Sequence, residues 1–165
     1  MGELPQNLKT ALQEIGELSA LLYLHMLIDE QCHDGWKVFR NYADEGCDLV
    51  LMGPGKQINI EVKTRQTLKV SKQPNLAQFT ITRKEKESSQ FVIAFWFNKS
   101  TFFIVPTSEL RETTSNDKLL YKFTARYSEQ NLDFTGPSRP YANDWTRISA
   151  AIDTMAQHGN FSLHK

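Results

Sequence analysis

Three residues of opposite charge lie close enough along the chain to act together: Asp48, Glu61 and Lys63. Asp48 opens an aliphatic run, and Glu61-Val62-Lys63 closes a second one. Gly53-Pro54-Gly55 breaks the chain between them, so the stretch reads as two β-strands joined by a tight turn. With the turn centred on Pro54-Gly55, a two-residue and a four-residue loop give the same antiparallel register: Met52 opposite Gln57, Val50 opposite Asn59, Asp48 opposite Glu61. Alternation then places Leu49, Leu51, Ile58, Ile60 and Val62 on one apolar face, and Asp48, Glu61 and Lys63 on the other. Two carboxylates directly opposite on paired strands repel one another, and folding alone has no use for them. A hard divalent cation such as Mg²⁺ prefers oxygen ligands of this kind and would remove the repulsion. Lys63 would add a positive charge beside it.

The elements that must hold this hairpin follow from the hydrophobic period. Residues 5–31 carry Leu8, Leu12, Ile15, Leu18, Leu22 and Met26 at three- and four-residue steps, which is one face of a helix. Glu17 lies off that face, in line with Leu21, Leu24 and Ile28, so the second half of the helix is apolar nearly all round and is expected to be buried on more than one side. Glu17 is then either a solvated helix glutamate or a third acid at the margin of the buried surface. Asp34-Gly35 is a turn, and residues 36–40 alternate like a strand.

Residues 64–86 change in composition. Arg65, Lys69, Lys72, Arg83, Lys84 and Lys86 stand there against the single acid Glu85. The stretch is either a charged loop kept polar for solubility or a phosphate-contacting rim beside the carboxylates. Residues 71–78 read as a loop, and a short helix is expected over 82–88 with Thr80 or Thr82 as its cap. Residues 91–97 are continuously apolar and suit a strand covered on both faces. Residues 101–105 form the next strand, ended by Pro106, and residues 107–110 one helical turn. A polar segment over 111–118, a strand over 119–127 and a loop over 131–140 follow. The last helix is expected over 143–157, capped by Asn143, with Trp145, Ile148, Ile152 and Met155 as its core stripe. The order is helix, three to five strands with a short helix between them, then helix: an α/β protein with a central mixed sheet flanked by helices.

Length and composition fit one domain over residues 1–165. The 165 residues are 40% hydrophobic and 23% charged, with a formal net charge of zero, so any anion-binding surface must be local. Two cysteines without a Cys-x-x-Cys spacing give neither a zinc site nor a disulfide framework, and reduced thiols in a cytoplasmic protein are the expectation. No segment is long and apolar enough to span a bilayer, so no membrane partner is expected. The four scattered histidines suggest no His-metal nuclease, and neither a nucleophile elbow nor a phosphate-binding glycine loop is present.

The chain resembles the PD-(D/E)XK nuclease superfamily, the restriction-endonuclease-like fold. The resemblance rests on Asp48 at the start of one strand, Glu61-Val62-Lys63 near the end of the next, and the upstream phrase Ile15-Gly16-Glu17-Leu18-Ser19-Ala20, which is similar to the first-helix glutamate motif of the branch that includes Holliday-junction resolvases. It covers roughly residues 13–110. The proline of the family motif is replaced by Cys47. The resemblance implies a metal-dependent endonuclease that hydrolyses DNA phosphodiester bonds and leaves a 5′-phosphate and a 3′-hydroxyl. Asp48 and Glu61 would bind Mg²⁺ or Mn²⁺ with the Val62 carbonyl as third ligand. Glu17 would complete the site directly or through water, and Lys63 would position the attacking water. Arg65, Lys69, Lys72, Arg83 and Lys84 would contact the backbone of duplex or branched DNA. Cutting both strands of a duplex asks for two active sites, hence a homodimer. The competing reading is a catalytically inactive nucleic-acid-binding or assembly subunit with the same fold.

Overall fold

A computed structural model describes residues 4–43, 46–67 and 73–157. Helix α1 (Gln6–Glu30) leads into β1 (Lys37–Arg40), β2 (Leu49–Gly53) and β3 (Lys56–Arg65), then β4 (Leu76–Thr82), the short helix α2 (Arg83–Ser88), β5 (Phe91–Trp96) and β6 (Thr101–Pro106). β7 (Arg111–Ser115), β8 (Lys118–Ser128), β9 (Asp133–Thr135) and helix α3 (Thr146–Gln157) complete it. Five strands form a mixed sheet in the order β1-β2-β3-β5-β6, in which only β3 and β5 run parallel. β4, β8 and β7 form a second, antiparallel sheet, with β9 also paired to β8.

The hairpin has the register the alternation demands. Met52 pairs with Gln57, Val50 with Asn59 and Leu49 with Ile60, around a two-residue turn at Pro54-Gly55. Gly55 takes φ +68°, a left-handed conformation natural to glycine. Leu49, Leu51, Ile58, Ile60 and Val62 are all fully buried. They pack with Ala20, Leu24 and Ile28 of α1 and with Ile148 and Ile152 of α3 on one face of the five-stranded sheet. Trp145 and Met155 line the same core, as their stripe on α3 predicts. The opposite face of β5 and β6, through Val92, Ala94, Trp96, Phe103 and Val105, packs on Phe79, Ile81, Tyr121 and Phe123 of the second sheet. β5 is therefore buried at every position, as its unbroken apolar run requires.

Several expectations are corrected. Among the described residues, nine strands in two sheets replace three to five in one, because β4, β7 and β9 lie in segments that read as polar or as loops. β7 is the sequence Arg-Glu-Thr-Thr-Ser at a sheet margin, with no hydrophobic alternation to betray it. On α1 the buried positions are Gly16, Ala20, Leu24, Leu27 and Ile28, whereas the stripe Leu8, Ile15, Leu18, Leu22 and Met26 is about half exposed. The small residues face the sheet and bring the helix close to β3: a Cβ on Gly16 would collide with Thr64 Oγ1. Asn143 does not cap α3, which begins at Thr146. It sits at φ +52°, and its side chain accepts a hydrogen bond from the Phe102 N–H at 3.0 Å, tying the α3 approach to β6.

Candidate active site

The site forms where β2 and β3 part company. Backbone pairing between them stops at Leu49 and Ile60, and the next residue on each strand is an acid, Asp48 and Glu61. The Asp48 N–H still donates to the Ile60 carbonyl at 3.0 Å, while Asp48 Oδ2 accepts from the Val62 N–H at 2.7 Å. A side chain thus takes over the ladder position that the β2 backbone vacates. Gln13 of α1 does the same one step further on. Its Nε2 donates to the Val62 carbonyl at 2.7 Å, and its Oε1 accepts from the Thr64 N–H at 3.1 Å. Gln13 also donates to Glu17 Oε1 at 3.1 Å, which places Glu17 at the same edge. Arg40 of β1 grips Glu17 from the other side, with Nε and Nη2 at 3.1 and 2.9 Å from Oε2.

Of these residues Gln13, Glu17, Asp48 and Glu61 line a crevice of about 430 Å³, together with Lys63, Thr82, Lys84 and Glu85. Glu61 is 3% exposed. Burial pushes its carboxyl up to about 8, with Asp48 adding to the rise and Lys63 opposing it. Burial also raises Asp48, against the Val62 N–H that stabilises its charge. Lys63 Nζ lies 2.6 Å from Glu61 Oε1 and 2.8 Å from Glu85 Oε1. Burial works against that ammonium, but the two carboxylates outweigh it and hold its pKa above the ordinary lysine value. Glu85 is offset likewise: burial opposes its charge, yet Lys63 and the Thr82 N–H bring its pKa below the usual carboxylate range.

The expected residues divide into three groups. Asp48, Glu61, Lys63 and Glu17 share the crevice, with the Val62 carbonyl beside them in the hand of Gln13. Arg65, Arg83 and Lys84 are exposed, Lys84 at the crevice wall and Arg83 paired with Glu87 at 2.7 Å. Lys69 and Lys72 lie outside the described residues. Three further residues join the site that sequence reasoning left out. Glu85 is the third helical residue after its cap Thr82, in a full capping box, so the Thr-x-x-Glu spacing was a usable signal. Gln13 stands four residues before Glu17 on the same helix face, and Arg40 closes β1.

Among the described residues, no three His, Cys, Asp or Glu side chains are gathered tightly enough to hold a metal ion as they stand. The donor set nevertheless fits a hard divalent cation. Asp48 and Glu61 are adjacent oxygen donors, each with its charged form disfavoured by burial, and a cation between them reverses that penalty. Glu61 would have to exchange Lys63 for the metal, which leaves Lys63 on Glu85.

No protein-family model matches the chain, and no curated protein matches it in sequence. Among solved structures it is similar to a bacterial homing endonuclease, I-Ssp6803I, with a TM-score of 0.63 at 16% identity over 96% of this chain and 99% of that one. It is also similar to the Holliday junction resolvase Hjc of Archaeoglobus fulgidus, with a TM-score of 0.45 at 16% identity over 75% of this chain and 89% of that one. The chain therefore shares its overall fold with the homing endonuclease I-Ssp6803I over nearly its whole length.

Proposed function

We propose that the chain is a divalent-metal-dependent endonuclease that hydrolyses DNA phosphodiester bonds. The supporting observation is the pair of acids, half-buried Asp48 and buried Glu61, set side by side where two strands separate, with a lysine in the same crevice. The fold shared with a homing endonuclease points the same way. In this reading Asp48, Glu61 and the Val62 carbonyl hold Mg²⁺ or Mn²⁺, and Glu17 completes the set directly or through water. The bound ion supplies an acidified water and a countercharge for the transition state. Lys63, a compact point charge with three donors, orients the attacking water and stabilises negative charge on the phosphoryl oxygens. Glu85 keeps Lys63 charged and aimed into the crevice once Glu61 has turned to the metal. Arg65, Arg83 and Lys84 contact phosphates. Two-strand cleavage requires a second centre, so the proposal includes a two-fold pair of chains, for which the half-exposed stripe of α1 offers an apolar surface.

The test is cleavage of linear, nicked, branched and single-stranded substrates with Mg²⁺ and with Mn²⁺. Wild type should cut at least one DNA substrate. Glu61→Gln and Lys63→Met should each lower the rate by about 10²–10³-fold or more. If wild type cuts nothing with either metal and calorimetry detects no metal binding, the enzyme reading is wrong and the binding-subunit reading replaces it.

A further inference from the structure

The second sheet has two unlike faces. Its inner face carries Ala77, Phe79, Ile81, Tyr121, Phe123 and Ala125, all buried. The side chains between them point outward and are exposed or half-buried. In the register of β4, β8 and β7, Lys122 lies between Thr80 and Arg111, and Arg126 lies beside Leu76. Every cation of β7 and β8, namely Arg111, Lys118, Lys122 and Arg126, falls on this outer face, whereas their one carboxylate, Glu112, falls on the other. Burial of the inner row sends charged side chains of either sign outward, but it does not choose their sign, and on this face they are all cations. Among the described residues none of the four cations is in an ion pair. In a chain with no net charge, a sheet face whose strands place four cations and no carboxylate on it is a local electropositive surface.

Two further features give the surface a direction. β7 and β9 pair with opposite ends of β8, so the β8 edge at Phe123 and Thr124 is left open between them. That notch, about 480 Å³, is lined by Arg111, Lys122 and Arg126. Two acids also reach it: Glu112, from the inner side of β7, and Glu109, which is occupied by the Tyr141 hydroxyl and Arg147. At the other side of the sheet the outer row of β4 runs from Leu76 through Gln78 and Thr80 to Thr82, and Thr82 is also a wall of the acidic crevice. The outer face is therefore continuous with the candidate active site. From Thr82 to the level of Arg126 is six strand residues, about 20 Å, or roughly six base steps of a DNA strand.

We propose that the outer face of the β4-β8-β7 sheet seats the sugar-phosphate backbone of duplex DNA on its way into the crevice. Arg111, Lys122 and Arg126 neutralise phosphates, and Gln78, Thr80 and Thr124 supply neutral donors of the kind that commonly reach phosphate oxygens. The proposal rests on the nuclease reading for its substrate, but binding can be measured without cleavage.

The experiment uses the full chain as Glu61→Gln, so that bound DNA is not cut, with and without the triple substitution Arg111→Gln, Lys122→Gln, Arg126→Gln. Binding of a labelled duplex is followed by fluorescence anisotropy across a salt series, beside cleavage by the Glu61 parent of each. The triple variant should bind at least about tenfold more weakly at low salt, with the log–log salt slope reduced by roughly two to three. Cleavage should fall with binding at subsaturating DNA and recover at high DNA. If the triple variant binds and cuts as its parent does, the seat is wrong and the nuclease reading stands. If no DNA is cut but the triple variant still loses binding and slope, the seat stands and the nuclease reading fails. No duplex binding by the parent, or tighter binding of RNA duplex than DNA, overturns the seat. Should the triple variant fail a thermal-unfolding check, Arg126→Glu alone, at an exposed position, makes the same comparison.

Discussion

The two halves of β3 are one strand held in two ways. From Lys56 to Ile60 its neighbour is β2, and the partners are backbone groups. Beyond Ile60 the same edge is held by side chains, the Asp48 carboxylate on the Val62 N–H and the Gln13 amide on Val62 and Thr64. β5 pairs with β3 from Ile60 to Arg65, so the strand keeps its course while β2 departs. The first half needs only alternation and a turn. The second half satisfies its backbone with residues drawn from α1 and from the β2 approach, and the gap that opens is where Glu61 and Lys63 lie. A continued backbone ladder would fill the crevice; an unsatisfied edge would leave buried polar groups at a cost of about 1–3 kcal/mol each. The site exists because side chains substitute for a strand.

That contrast can be broken most severely at the contact between α1 and the second half. Gly16→Ala would place a Cβ on Thr64 Oγ1, and an overpacking cost of about 3 kcal/mol, set against about 1 kcal/mol gained in helix propensity, leaves a net loss of about 2 kcal/mol. Adding Thr64→Ala removes the obstructing hydroxyl, whose oxygen has no hydrogen-bond partner. The double variant should recover most of the loss in urea unfolding. A double variant no better than the single would mean that the helix is not seated against β3 in this way.

The charge state of the second half gives a pH test. Burial raises Glu61 from 4.5 to about 8, so in the metal-free protein the folded state holds a proton that the unfolded chain releases over that interval. Folded protein then binds more protons than unfolded, and stability must fall as pH rises from about 4.5 towards 8 and level off above it. Gln cannot ionise. In EDTA, Glu61→Gln should therefore gain on wild type as pH rises from about 5 to 8, by an amount on the order of a few kcal/mol. A difference that stays flat across this range would show that Glu61 is ionised throughout. No such trend is expected for substitutions in the first half, which carries no buried acid.

How much of this was legible depends on the kind of force at each place. The first half of β3 was readable because its constraints are local: five aliphatic residues in alternation and a Pro-Gly turn leave one register. The acids followed from it by parity. Helix α1 was read correctly in extent and wrongly in orientation, since periodicity finds stripes but does not say which one faces the sheet. Gly16 and Ala20 won that place over Leu18 and Leu22 because close approach, not apolar area, decides the contact with β3. Gln13 left no trace, as a glutamine on a helix has no pattern until its backbone partners, 49 and 51 residues away, are known. β7 and β9 were hidden for the same reason, being short, largely polar segments that are strands only because β8 pairs with them.

Smaller effects sharpen the comparison. Gln13→Ala removes the amide that holds Val62 and Thr64, and should cost about 1–2 kcal/mol at this half-buried site. Under the proposed function it should also weaken metal binding by calorimetry, because the Val62 carbonyl and Glu17 both lose their tether. Gly55→Ala, at φ +68° with open space around its Cβ, should cost about 1 kcal/mol by backbone strain alone. It acts on the half of β3 that the backbone holds, and the pairing from Gly53 to Ile60 fixes register independently of the turn. Metal affinity and cleavage per folded molecule should therefore be unchanged in Gly55→Ala while urea midpoints fall. If instead cleavage falls with stability there and not in Gln13→Ala, the turn positions the acids and the side-chain edge does not.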